Sequence, residues 1–131
     1  FFHKNVGPKP RAKQAMWTCL KEDKQRLADV RYGSGWIPVN QRATNKHAHR
    51  RNLAFVVNRY IHPSIMHHFK LWGINLNQNL YTVSELIQWL WRSQLRLGQP
   101  VNLYLPSARM RGLLNDWLKG ALEATIEVKP I

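Results

Sequence analysis

Apolar positions in the second half of the chain recur with helical spacing. Val83, Leu86, Ile87, Leu90, Trp91 and Leu97 fall in phase and predict one helix over residues 80–97, its apolar stripe facing a core. Thr82-Val-Ser-Glu85 reads as its capping box and Gly98 as its stop. Residues 108–119 repeat the period through Met110, Leu113, Leu114, Trp117 and Leu118, between a Pro106-Ser107 start and Gly120. Residues 101–105 are strand-like, and residues 125–128 read as a last strand. Helix, strand, helix, strand predicts a parallel α/β layer.

The first half is less regular. Residues 1–10 hold two prolines, a glycine and three basic residues, and read as an extended arm. Ala15, Met16, Cys19 and Leu20 form a stripe that predicts a helix within residues 11–29, broken by Tyr32-Gly-Ser-Gly35. Trp36-Ile-Pro-Val39 is a short strand candidate, with Pro38 favouring an edge. Residues 40–51 read as a polar loop. Leu53, Val56, Val57 and Tyr60 predict a helix over residues 52–60, and a short helix follows over residues 64–72. The expected architecture is a basic arm and N-terminal helix over residues 1–35, then a small parallel-sheet α/β domain with helices packed around it over residues 36–131.

At 131 residues the chain is one domain with room for a core, and its hydrophobic content of 44% and six Trp argue that it folds. No apolar run approaches ~18 residues, so no membrane-spanning helix is expected. No signal peptide is visible. The single Cys19 excludes an internal disulfide and fits a reducing, cytoplasmic interior. The first residue is Phe1, so a processed product or a piece of something longer is expected.

Charge changes the picture most. The net charge is +13, and from Val30 to Ser84 there is no acid, against seven Lys or Arg and five His. Charge of one sign repels itself on folding and usually has a polyanionic partner, most commonly nucleic acid. A solvated basic surface without a specific partner is the alternative. The cations are dispersed, not gathered on one amphipathic helix, so a membrane surface fits less well.

Gln88, Arg92 and Arg96 stand at i, i+4 and i+8, opposite the apolar stripe of the 80–97 helix, where guanidinium groups can hold phosphates. Arg42-Ala-Thr-Asn45 follows the 36–39 strand, at the edge where α/β sheets bind ligands. Arg42, Thr44 and Asn45, with Lys46, Arg50 and Arg51 beyond, either contact phosphates or form an ordinary capped loop. Arg109 and Arg111 open the 108–119 helix, which favours an anion or is simply an exposed first turn. Trp89 falls off its helix's apolar face, ready to stack on a base or meet a partner domain. His47 and His49, or His62 with His67 and His68, offer metal nitrogens, but no acid or second Cys completes a zinc set, and no metal site is expected.

The strand, the Arg42-Ala-Thr-Asn45 loop and the Gln88…Arg92…Arg96 helix together resemble the C-terminal RecA-like half of a superfamily 2 helicase. Met16-Trp-Thr18, Gly35-Trp-Ile-Pro-Val-Asn40, Asn58-Arg-Tyr60 with Pro63, Trp91-Arg-Ser93 and Leu105-Pro-Ser-Ala-Arg-Met-Arg111 are similar to the C-terminal end of helicase-like proteins of phages and mobile elements. That resemblance implies Thr44 and Asn45 near nucleic acid, Gln88 and Arg92 in the sixth motif, and Arg92 as an arginine finger on ATP. Trp91 stands where the family has glycine, and Arg96 is one residue late for the second arginine. No Gly-x-x-x-x-Gly-Lys-Ser/Thr occurs, so ATP and Mg2+ would need a missing N-terminal half. The expectation is a helicase fragment that completes an ATP site on an upstream RecA-like domain. The alternative is a non-catalytic basic module that binds DNA or RNA within a larger assembly.

Overall fold

The computed structural model describes residues 14–28, 33–41 and 45–124. The arm expected over residues 1–10, the strand expected over residues 125–128, and Arg42 and Thr44 lie outside them.

A parallel three-stranded sheet forms the centre, in the order β1 (Ala15–Cys19), β2 (Asn52–Val56), β3 (Asn102–Tyr104). Met16 lies beside Leu53 and Thr18 beside Phe55, while Leu53 faces Leu103 on its other side. β1 and β2 correct two helix expectations. Both are short apolar runs buried on both faces, so they show no alternation, and a helical phase can be drawn through such a run by accident.

The 36–39 strand shrinks to a single bridge. Trp36 pairs with Trp17, and the Ile37 amide donates to the Trp17 carbonyl at 2.9 Å. Trp17 already pairs with Ala54 of β2, so Trp36 lies on the opposite edge of β1. Gly35 permits this approach, because a Cβ there would stand 2.5 Å from the Ala15 carbonyl oxygen.

The helices are a single turn α1 (Lys24–Leu27), then α2 (Pro63–Leu71), α3 (Gln78–Leu90) and α4 (Ala108–Ala124). α3 begins earlier than its expected capping box. Asn77 caps it by accepting from the Leu80 amide at 2.9 Å, and Thr82 instead donates its hydroxyl to the Arg59 carbonyl at 2.9 Å. It also ends earlier, at Leu90. The Ser93 hydroxyl donates to the Leu90 carbonyl at 2.7 Å, and a 3-10 turn (Gln94–Leu97) follows, closed by Gly98 at φ +73°. α4 starts on the Ser107 cap as expected, but runs through Gly120 to Ala124.

α3 and α4 cover one sheet face. Leu86, Trp89, Leu90 and Met110 pack on Met16, Leu53 and Phe55, with the Phe55 and Trp89 rings edge to face at 5.2 Å. Trp17, Cys19 and Ala54 form a smaller cluster on the other face, with Trp36, Val56 and Ala28. α2 buries no residue at all.

Candidate functional site

The polar stripe of the 80–97 helix does not exist as such, because α3 stops before Arg92. Gln88 is exposed on α3, Arg92 follows the helix end, and Arg96 sits in the 3-10 turn. Arg92 is 8% exposed, and its two terminal nitrogens donate to the carbonyls of Val39, at 3.1 Å, and Gln41. Burial lowers its pKa, against a smaller opposing effect of the Glu85 carboxylate. Arg96 is exposed and donates to the Asn45 side chain, joining the turn to the 45–49 loop.

Trp89 and Trp91 exchange their expected places. Trp89 is fully buried and donates its indole N–H to the Ile37 carbonyl at 3.2 Å, so it cannot stack on a base. Trp91 is 53% exposed. The buried positions of α3 are Thr82, Val83, Leu86, Trp89 and Leu90, one step round from the stripe the sequence suggests.

Other predicted arginines also bind the chain itself. Arg50 is buried and donates to the Ala15 carbonyl at 2.6 Å. Arg111 donates to the carbonyls of Leu105 and Pro106, both at 2.7 Å. Arg109 donates to the Arg59 carbonyl at 2.8 Å, to Asn58 Oδ1 at 3.0 Å and to the Thr82 hydroxyl at 3.2 Å, with its guanidinium 4.1 Å from the Tyr60 ring centre. In a stretch without acids, carbonyl oxygens take the part carboxylates would play.

Asn45, Lys46, His49 and Arg51 remain exposed, together with Arg96. They lie toward the amino end of the sheet, where the Arg51 amide bonds the Gln14 carbonyl and the Arg51 carbonyl accepts from Asn102. His47 sits among them. Burial, then the charges of Arg50, His49, Arg92 and Lys46, pushes its pKa below the ordinary value.

The carboxyl end of the sheet carries a cleft of about 490 Å³ that the sequence reading missed. Cys19, Leu20 and Lys21 after β1, Val57 and Arg59 after β2, and Trp36 with Pro38, Val39 and Asn40 line it. Burial raises the Cys19 thiol pKa; the Trp36 indole opposes that shift, yet its N–H makes no well-formed hydrogen bond. The Arg59 Nη2 lies 3.3 Å from Glu85 Oε2, an ion pair by distance in which that oxygen has no hydrogen-bond partner. Reading residues 15–19 as a strand would have put Lys21 at this edge. No group of three or more His, Cys, Asp or Glu converges as metal ligands among the described residues.

The family model described as the YonV C-terminal Rossmann-like domain matches residues 1–118. The chain belongs to that family. The small parallel sheet with flanking helices is accordingly a Rossmann-like fold. The chain is 42% identical, over 111 residues and 85% of its length, to the SPbeta prophage-derived uncharacterized protein YonV of Bacillus subtilis (strain 168). It spans 27% of that relative. No solved structure matches it. Among the described residues, no helix is long and apolar enough to cross a membrane.

Proposed function

We propose that this domain binds nucleic-acid phosphates through the basic surface at the amino end of its sheet, as a non-catalytic module of a longer protein. The observation that supports it is the gathering of Lys46, Arg51 and Arg96 as exposed cations, with exposed His49 beside them, in a chain of net charge +13. Such contacts position a strand without reading its sequence. The prophage origin of a relative is in keeping with that partner.

A helicase role asks for a free guanidinium on Arg92, whereas its fork is spent on two carbonyls. ATP and Mg2+ therefore enter this reading only through another domain of a longer protein.

The test is a titration of labelled single-stranded and duplex oligonucleotides at rising salt, with and without ATP. Affinity is expected to fall log-linearly with salt, and the slope to drop by about one for each of Lys46→Ala and Arg51→Ala. No binding at low salt overturns the reading and leaves an acidic protein partner to account for the charge.

A further inference from the structure

The cleft at the carboxyl end of the sheet is a binding site in its own right, and we infer that it takes a planar ring bearing an anionic group: a nucleoside phosphate, free or at a strand end. Topology supplies the first argument. The chain leaves β1, returns to the outer edge of β1 at Trp36, and then crosses to β2 on the inner edge. Connections that diverge in this way leave a crevice beyond the carboxyl ends of the strands, the place where open parallel sheets hold ligands.

Size and lining supply the second. The volume of about 490 Å³ suits a small organic molecule. Leu20, Pro38, Val39 and Val57 offer apolar walls for a ring. Lys21 and Arg59 bring positive charge, and the Asn40 side chain can both donate and accept.

Unsatisfied donors supply the third. Arg59 Nε is buried without a hydrogen-bond partner among the described residues, and the Trp36 indole N–H, which acts on the Cys19 thiol, makes no well-formed hydrogen bond; both belong to cleft-lining residues. Both atoms are closed to solvent, so a ligand oxygen satisfies them only as the lining side chains turn toward it. Glu85 is the carboxylate that meets Arg59, and a phosphate would compete for the same guanidinium.

This site does not depend on the basic amino-end surface, since no residue is shared. The experiment uses the full chain with adenosine, AMP, ATP, a 5′-phosphorylated dinucleotide and inorganic phosphate, measured by calorimetry and by the Trp36 indole N–H resonance. AMP is expected to bind saturably and shift that resonance, at least about tenfold more tightly than adenosine or inorganic phosphate. Asn40→Trp, which adds bulk to the lining, and Lys21→Glu should each weaken AMP by about tenfold, while Arg51→Glu leaves it unchanged. Tighter binding of the dinucleotide than of AMP identifies a strand end; the reverse identifies a free nucleotide. No saturable binding, an unmoved Trp36 resonance, or equal loss in Arg51→Glu overturns the site. Lys21 is exposed, so its variant and the wild-type resonance decide the matter even where Asn40→Trp misfolds.

Discussion

Arg50 donates to the carbonyl oxygen of Ala15, 35 residues earlier, at 2.6 Å and with only 8% of the residue exposed. This bond ties the chain two residues before β2 to the start of β1. Truncating it leaves a buried carbonyl without its charged donor. Arg50→Ala should cost about 2 kcal/mol, read from urea unfolding, and Arg50→Lys should recover only part of it because an ammonium lacks the planar fork.

Trp89 fills the core beneath Phe55 and satisfies the Ile37 carbonyl. Trp89→Phe keeps most of the ring but loses the N–H, and should cost about 1 kcal/mol or somewhat more. Trp89→Ala should cost about 3–5 kcal/mol. Trp91→Ala, at an exposed position, should stay within about 0.5 kcal/mol of wild type. Thermal melts of the variants check the order, and equal costs at positions 89 and 91 would contradict the packing.

Two glycines should answer an added methyl with opposite signs. At Gly35 a Cβ meets the Ala15 carbonyl oxygen at 2.5 Å, backbone that cannot step aside. Gly35→Ala should destabilise by about 1–3 kcal/mol and loosen the Trp36 bridge. At Gly112, inside α4, a Cβ meets nothing within 4 Å, so Gly112→Ala should stabilise by about 0.5–1 kcal/mol. Denaturant midpoints of both variants test the contrast.

His47 makes stability depend on pH. Burial first, then neighbouring cations, holds its folded pKa below the unfolded value near 6.5. The unfolded chain then binds the proton more readily, so this contribution is full above pH 6.5 and is lost as pH falls through the lower folded value. Melting temperature should drop as pH falls from 6.5 toward the lower folded value and level off beneath it, and His47→Gln should flatten the drop. A steeper drop in His47→Gln would reverse the assignment.

How much of this was legible before folding depends on what surrounds each element. β3, α4 and its Ser107 cap were readable because strand residues, cap and helical period all agree there. α2 was readable from Pro63 and Gly73. β1 and β2 were not, because Met16 and Phe55 belong to runs buried on both faces and only pairing distinguishes such a run from a helix. The end of α3 turned on Ser93 bonding the Leu90 carbonyl, a local choice the apolar period does not encode. The fate of Arg92 depended on carbonyls more than 50 positions away. Composition shows that arginines are plentiful, not which will be spent on the backbone.

That division of labour has a practical side. Guanidinium groups buried against carbonyl dipoles, as at Arg50 and Arg92, are little screened by added salt, whereas exposed cations at Lys46 and Arg51 are screened readily. Washing the protein in molar sodium chloride should therefore strip away co-purifying polyanions while the internal staples hold, yielding a clean, folded starting material.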